Sequence, residues 1–438
     1  MRLAQQHETA HVQALIQNVS HLLRARRFLP LFSTQFLGAF NDSLFKQAVV
    51  LFVTYQLLQN PAKEFQFSSI AQALFILPFF LLSALSGQLA DDHDKARLIR
   101  MIKFAEILIM IVGGAGLMLA NIPLMLAAVF AMGVHSTFFG PIKYAILPQH
   151  LRHDEVLGGT GLVEAGTYIA ILLGTILAGV LAAKPQFAAA ATILFAALGF
   201  LTGRQVPPAP PSAERLPITW HIVHASIELV SATMHIRRLF LAILAISFFW
   251  TIGAVLIIIF PPLVKNVLGA NEQVASLFIA IFSIGIAIGS LAINRLLKSE
   301  VSARFAPASV IAMGVFVLML HFVALTWSKI GPDLTTLENF LVNPMAWPMI
   351  LCLLGVAISG GMFVVPLYAF LTTTVPKTET ARTVAANNIV NSGAMVVGAL
   401  VAFALSSMGV GPIGQLLLVA SMCLVSAWLG WKLHLACD

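Results

Sequence analysis

The sequence predicts an all-α polytopic membrane protein with twelve transmembrane helices in two six-helix halves. Of its 438 residues, 59% are hydrophobic and only 10% are charged, and the mean hydropathy is +0.92. Soluble domains contain about 25% charged residues, and a soluble protein could not bury this much apolar surface. These values exclude the soluble and intrinsically disordered classes and indicate that lipid surrounds most of the chain.

Twelve long apolar runs supply the predicted spans, since a helix needs roughly 20 residues to cross a bilayer core. The runs lie at approximately residues 28–59, 68–90, 98–119, 122–147, 156–182, 187–204, 239–267, 274–296, 306–328, 346–372, 384–407 and 412–434. Their continuity argues against the alternating strands of a β-barrel.

Two polar segments set the predicted domain boundaries. Residues 1–27 form a cytoplasmic leader, interpreted as a short amphipathic helix or a disordered tail, and no signal peptide is expected. The proline-rich residues 205–238 form a cytoplasmic linker whose later part is expected to be a surface helix. The six-helix bundles are then residues 28–204 and 239–438.

The basic residues orient the chain. Of the 25 Lys and Arg residues, all but Lys46, Lys63, Lys184, Lys265 and Lys329 fall on one side of the predicted topology. The positive-inside rule therefore places both termini in the cytoplasm. The net charge of +7 lies along that membrane face and needs no nucleic-acid partner to explain it.

Short matches between the halves indicate an internal duplication. Residues 140–145 (GPIKYA) in span four correspond to residues 365–369 (VPLYA) in span ten. Residues 164–166 (EAG) in span five correspond to residues 391–393 (NSG) in span eleven. Parallel halves of this kind place a site at their interface, near the midplane.

Neither a cofactor nor an enzymatic activity is predicted. The three cysteines have no CxxC spacing and are interpreted as small apolar residues, without a metal site or a disulfide framework. The sequence has no His cluster, nucleophile elbow or phosphate-binding glycine loop.

Charged residues inside the first span are the leading site candidates, since a charge at bilayer depth costs about 2.5–3.5 kcal/mol. Asp42 lies fourteen residues after Phe28, about 21 Å along a helix, and so near or beyond the midplane if the helix starts at the cytoplasmic edge. Lys46 follows at i+4 and is expected to pair with Asp42, with Asn41 beside them. The pair either lines a cavity that receives a zwitterionic or anionic head group or is purely structural.

Three further polar residues are candidates for substrate contact. Glu164 lies in span five, where it either lines the cavity or makes a structural contact near the membrane surface. Lys143 follows Pro141, which is expected to break or kink span four, and it either attracts a phosphate or extends to the membrane surface. Asn391 in span eleven lines the opposite wall or makes an interhelical hydrogen bond.

Other intramembrane polar residues are expected to be structural. Lys103 and Glu106, three residues apart at the start of span three, predict an ion pair near the membrane surface. His135 and His321 are isolated in the sequence and are expected to be packing residues rather than a proton relay.

The loop after span two carries a family resemblance. Residues 87–97 (GQLADDHDKAR) resemble the signature between helices two and three of the major facilitator superfamily, with Asp94 in place of a glycine. The resemblance implies a gating function for Gly87, Asp91, Lys95 and Arg97. They would form a latch in which an acid at a helix end meets the positive end of another helix.

Three stretches narrow the resemblance. Residues 35–46 (QFLGAFNDSLFK), 141–147 (PIKYAIL) and 361–367 (GMFVVPL) are similar to the bacterial lysophospholipid transporter family, including transporter domains fused to acyltransferases. The resemblance implies that lysophospholipid moves from the outer to the inner leaflet of the bacterial inner membrane for reacylation. A separate acyltransferase or acyl-ligase is then an expected partner, besides the substrate and the membrane lipids.

Two alternatives remain open from the sequence. The first is a proton-coupled antiporter of drugs or small solutes, in which Asp42 or Glu164 titrates during the cycle. The second is a non-transporting membrane scaffold for a lipid-modifying enzyme, which would use the linker and the leader.

Overall fold

Twelve helices long and apolar enough to cross a membrane confirm the predicted fold class. The computed structural model describes residues 21–152, 155–211, 221–297, 302–328, 333–373 and 380–437. The helices of the first half are α1 (Leu29–Phe52, continued by a π-helical segment, Val53–Leu57), α2 (Pro61–Asp92), α3 (Lys95–Met118), α4 (Ile122–Ala145), α5 (Val156–Leu181) and α6 (Pro185–Gly203). Those of the second half are α7 (Arg237–Pro262, continued by Leu263–Leu268), α8 (Glu272–Leu296), α9 (Ala306–Thr326), α10 (Ala346–Thr373), α11 (Thr380–Ser407) and α12 (Pro412–Cys437).

Successive spans alternate in direction, so an even number of them returns the chain to the side from which it started. The start of α1, the linker and the end of α12 therefore lie at one end of the bundle. We call this end the terminal face and the opposite end the distal face.

Side-chain caps explain where several helices begin. Pro61 is the first residue of α2, and the Asn60 carboxamide oxygen accepts hydrogen bonds from the backbone N–H groups of Ala62 (3.0 Å) and Lys63 (3.1 Å). Asp94 caps α3, since its carboxylate accepts the backbone N–H of Arg97 at 2.8 Å. The aspartate that replaces the signature glycine therefore starts a helix.

Pro141 does not break span four. Helix α4 continues through it to Ala145, and a short turn of helix, Leu147–His150, follows. Because Pro141 lies close to the end of α4, its missing N–H costs one hydrogen bond near the terminus rather than dividing the helix. The predicted break at this residue is therefore wrong, and the alternative of a kink stays a prediction.

Helix packing repeats between the halves. In the first half α1 packs against α5 and α6, α2 against α4, and α3 against α4 and α6. The second half has the equivalent pairs, α7 with α11 and α12, α8 with α10, and α9 with α10 and α12. The halves meet through α2 with α11 and through α5 with α8, which are equivalent under the same duplication. The internal repeat predicted from short sequence matches is therefore present in the packing.

Helices α1 and α5 approach each other at Gly174. A Cβ atom at this residue would lie 2.4 Å from the backbone oxygen of Phe40, so a larger residue would push the helices apart. This close approach fixes α1, which carries the leading site candidates, against α5, which carries Glu164.

The start of the linker lies along the terminal face of the first half. The backbone N–H of Ala209 donates to the Asp94 carboxylate at 3.1 Å, and the Ala209 carbonyl accepts the N–H of Lys95 at 2.9 Å. A linker helix, Ile222–Met234, packs against α2 and α11. Residues 1–20 of the predicted leader and residues 212–220 of the linker lie outside the described residues.

Candidate functional site

Charges inside the membrane belong to the first half. Asp42, Lys46, Lys103, Glu106, Lys143 and Glu164 all lie within its helices. In α7–α12 the Asp, Glu, Lys and Arg residues lie near helix ends, with long uncharged segments between them. The two halves therefore present different chemistry to the space between them.

A buried ion pair lies at the centre of the first half. Lys103 Nζ is 2.6 Å from Glu106 Oε2, and both side chains are almost fully buried. Asn41 of α1 donates to the other carboxylate oxygen of Glu106 at 2.8 Å. Glu106 lies at the middle of α3, so the pairing is confirmed and its predicted place near the membrane surface is wrong. Asn41 is therefore a structural partner of this pair.

The ammonium group of Lys103 needs the space left by Gly38. A Cβ atom at Gly38 would lie 2.5 Å from Lys103 Nζ, which the Glu106 carboxylate holds in place. The absence of a side chain on α1 therefore allows α3 to carry a buried lysine here.

His135 connects this pair to Asp42. Its Nε2 lies 3.2 Å from Glu106 Oε2, outside hydrogen-bonding geometry, and its Nδ1 lies 3.4 Å from the Ser136 hydroxyl. Ser136 in turn donates a hydrogen bond to Asp42. Titratable groups of α3, α4 and α1 thus form one polar chain at mid-depth, and His135 is not the isolated packing residue expected from the sequence.

Asp42 and Lys46 do not form the expected ion pair, since no ion pair within 4.0 Å joins them among the described residues. Asp42 is bonded to Ser136 of α4. Lys46 Nζ lies 3.5 Å from the Gln72 carboxamide oxygen and 4.7 Å from the centre of the Phe75 ring, both on α2. The neighbouring helices offer partners that i+4 spacing along α1 does not reveal.

A second polar cluster lies between the polar residues at mid-depth and the terminal face. The Tyr144 hydroxyl of α4 donates to the Glu164 carboxylate of α5. Lys143 Nζ lies 4.7 Å from the centre of the Tyr144 ring, and no carboxylate lies within 4.0 Å of it among the described residues. Lys143 and Glu164 are therefore brought to one region, with Tyr144 as a partner that the sequence analysis missed.

The facing polar group of the second half is uncharged. The Ser247 hydroxyl donates to the Asn391 carboxamide oxygen at 2.7 Å, and the Asn391 amide donates to the Tyr368 hydroxyl at 3.4 Å. Trp250 also donates to Tyr368, at 2.8 Å. Asn391 thus makes interhelical hydrogen bonds.

An ionic contact joins the two halves at the distal face. Lys265, at the end of α7, lies 2.7 Å from the buried Glu64 carboxylate at the start of α2, and donates to the backbone carbonyl of Leu58 at 2.9 Å. Asn266 donates to the second oxygen of Glu64 at 2.5 Å. We call Glu64, Lys265 and Asn266 the distal clamp. The sequence gives little indication of the distal clamp beyond the fact that Lys265 is one of few basic residues on the distal side of the predicted topology.

The residues of the predicted latch lie at the end of α2 and the start of α3. Gly87 has open space around it, Lys95 is buried beside the linker, and Arg97 is exposed. The side chain of Asp91 lies outside the described residues, so its contact with another helix stays a prediction.

An ion pair joins the start of α1 to the start of α5 at the terminal face. Arg27 Nη2 lies 2.7 Å from Glu155 Oε1, and the backbone N–H of Arg152 donates to Glu155 Oε2 at 2.9 Å. Burial raises the pKa of Glu155, but the Arg152 N–H and the Arg27 guanidinium outweigh it and hold that pKa below its ordinary value. Glu155 is therefore ionised at neutral pH.

Among the described residues, no group of three or more His, Cys, Asp and Glu side chains is placed to hold a metal ion. The polar chain from Glu106 to Asp42 holds one histidine and two carboxylates on three helices, joined through a serine hydroxyl. The titratable groups of this set can accept a proton or contact a charged substrate.

The comparisons with known proteins agree with this architecture. Lysophospholipid transporter LplT of Citrobacter koseri is 28% identical over 351 residues, which cover 79% of this chain and 80% of that protein. The LplT of Escherichia coli strain K12 / DH10B is 28% identical over 341 residues, covering 77% and 78%.

Solved transporter structures share the fold. The POT family transporter PepTSo superposes with a TM-score of 0.69 at 11% identity, covering 94% of this chain and 99% of that one. The nucleoside transporter NupG has a TM-score of 0.65 at 14% identity, covering 92% and 99%. The family model of the Major Facilitator Superfamily matches residues 31–399. This chain therefore belongs to the Major Facilitator Superfamily and is a multi-pass membrane transporter.

Proposed function

We propose that this protein moves lysophospholipids from the outer to the inner leaflet of a bacterial inner membrane, with both termini in the cytoplasm. The similarity to lysophospholipid transporters supports the substrate class. The lipid would then be reacylated by a separate acyltransferase or acyl-ligase. The terminal face, which carries most of the basic residues, would be the cytoplasmic side.

The observation that carries this proposal is the difference between the two halves. The first half supplies both signs of charge within the membrane, whereas the second supplies hydroxyl, carboxamide and indole groups among apolar side chains. A lysophospholipid has a charged head group and one acyl chain, so it needs a polar wall beside an apolar one. A small polar solute has no acyl chain that would contact a long uncharged wall.

The charges of the first half suit a zwitterionic head group. Lys46 and Lys143 have no carboxylate within 4.0 Å among the described residues, so their ammonium groups are available to a phosphate. Among the described residues, the Asp42 carboxylate accepts a hydrogen bond from the neutral hydroxyl of Ser136, and that of Glu164 accepts one from Tyr144. A carboxylate with only a hydroxyl donor can still pair with the ammonium of an ethanolamine head group.

Helices α4 and α5 bring the second polar cluster close to the terminal face, and α1 carries Asp42 to mid-depth. A head group could therefore pass from one set of charges to the next. The distal clamp would close the path on the outer side, and release of the clamp would admit lipid from the outer leaflet. Alternation between these states is the usual transport cycle of two-half carriers.

A proton-coupled antiporter is the second candidate. It is favoured by the chain of Glu106, His135 and Asp42, because carboxylates and a histidine at mid-depth are typical of proton relays in transporters. The two candidates differ in their need for a proton gradient.

The deciding experiment is uptake of radiolabelled lysophosphatidylethanolamine into spheroplasts that express this chain, with and without an uncoupler. The proposal predicts uptake above that of cells lacking the protein, and uptake that persists when the gradient collapses. Uptake abolished by the uncoupler would favour proton coupling. No uptake under either condition would contradict the lipid substrate and leave the transporter fold unaffected.

A further inference from the structure

A cavity of about 550 Å³ opens on the terminal face, away from the space between the halves. Arg26 before α1, Arg100 near the start of α3 and Arg204 at the end of α6 line it. The first residues of the linker, Gln205–Pro208, complete the wall. The segment before α1, helices α3 and α6, and the linker thus place three arginine residues around one opening.

The cavity is positively charged in the part of the chain that the structure describes. No carboxylate lies within 4.0 Å of Arg26, Arg100 or Arg204 among the described residues. The neighbouring Arg27 shows the opposite situation, since it is paired with Glu155 at 2.7 Å. Three like charges around one cavity repel one another, so an anion between them would relieve that repulsion.

The cavity lies beside a surface suited to acyl chains. Met101 and Phe104 on α3 are 60% and 52% exposed, and Leu201 on α6 is 52% exposed. These residues follow or precede the cavity arginines by one to four positions, so the apolar surface starts where the basic cavity ends. The helix ends place the guanidinium groups at the level of lipid head groups.

We propose that this cavity binds the phosphate of an anionic phospholipid from the leaflet at the terminal face. Arginine binds phosphate oxygens through two parallel N–H donors, and basic pockets between helices at the membrane surface suit anionic head groups. The lipid is a bound ligand rather than cargo. It would join α1, α3 and α6 to the linker, and the site does not depend on the transported substrate.

The test uses the full chain in a neutral detergent and measures the midpoint of thermal unfolding and the number of lipids retained in native mass spectrometry. Phosphatidylglycerol is the probe, phosphatidylcholine is the zwitterionic control, and glycerol 3-phosphate supplies the same phosphate without acyl chains. We expect phosphatidylglycerol to raise the midpoint and to be retained, and the two controls to have little effect.

The combined variant Arg26→Gln, Arg100→Gln, Arg204→Gln should lower the affinity for phosphatidylglycerol by about a hundredfold. The matched control removes three exposed arginines elsewhere on the terminal side, Arg237→Gln, Arg238→Gln and Arg304→Gln, and should keep the wild-type affinity. If the combined variant does not fold, each single cavity variant should still lower the affinity by about fivefold.

Three results would overturn the proposal. Unchanged affinity in the cavity variants would show that the arginines do not bind the lipid. An equal loss in the matched control would indicate general attraction to a basic surface. A full shift with glycerol 3-phosphate alone would assign the site to a soluble phosphate compound.

Discussion

Lys265 Nζ lies 2.7 Å from the carboxylate of Glu64, joining the end of α7 to the start of α2 across the two halves. The Glu64 side chain is almost fully buried, and Asn266 donates to its second oxygen. Lys265 also donates to the Leu58 carbonyl at the end of the first span. One lysine therefore holds the distal ends of α1, α2 and α7 together.

Neutralising the distal clamp should open the distal face. In a Thr54→Cys background, Lys265→Gln or Glu64→Gln should increase labelling of the introduced cysteine by a membrane-impermeant maleimide, because Thr54 is fully buried behind the clamp. Lys63→Gln is the matched control, since Lys63 is exposed next to Glu64. Equal labelling in all these variants would mean that the clamp does not close the path.

The ion pair between Lys103 and Glu106 should show strong coupling. Either single substitution, Lys103→Met or Glu106→Gln, leaves a buried group without its partner and should destabilise the fold by about 3–5 kcal/mol. The double variant should lose less than the sum of the two. The measurement is unfolding of the purified protein in detergent, and strict additivity would contradict the pairing.

Asp42→Ala should lower transport far more than it lowers the amount of folded protein. A hydrogen bond to a charged group contributes about 1.5–3 kcal/mol, so loss of a head-group contact should reduce transport by about tenfold or more. Asp42→Asn keeps an acceptor for Ser136 and removes the charge, and it should be equally defective. Equal loss of transport and of folded protein would make Asp42 structural.

The ion pair between Arg27 and Glu155 predicts that the stability of the folded protein depends on pH. Because the folded-state pKa of Glu155 is lowered, its contribution is present above the unfolded value of about 4.3 and is lost as pH falls through the folded value. Glu155→Gln should therefore lower the midpoint of thermal unfolding at pH 7, and the difference from wild type should shrink towards pH 3. A difference that persists in acid would contradict an ionic role.

The fold could be predicted because membrane spans leave a continuous signal. Hydropathy gave the number of helices, and α10 was placed at residues 346–372, against an observed Ala346–Thr373. The cytoplasmic location of both termini rests on the distribution of Lys and Arg residues and stays a prediction. The position of Asp42 near mid-depth was also predictable, because it needs only the rise along one helix.

The partners of the charged residues could not be predicted in the same way. Asn41 meets Glu106 across 65 residues of sequence, and Lys265 meets Glu64 across 201. The i+4 spacing along α1 predicted an ion pair between Asp42 and Lys46. In the structure, Asp42 is instead hydrogen-bonded to Ser136 of α4, and Lys46 contacts Gln72 of α2. Contacts of this kind depend on which helices are neighbours, and a single sequence carries little information on that.

On the proposed function, the charged first half and the uncharged second half together carry a lipid with one acyl chain across the bilayer. The most direct test is flipping of fluorescent lysophosphatidylethanolamine in proteoliposomes without any ion gradient, read by back-extraction of outer-leaflet lipid with albumin. We predict flipping above that of protein-free liposomes, strongly reduced by Asp42→Ala and retained with Lys63→Gln. Flipping no faster than in protein-free liposomes, with folded protein present, would rule out lysophospholipid flipping by this protein.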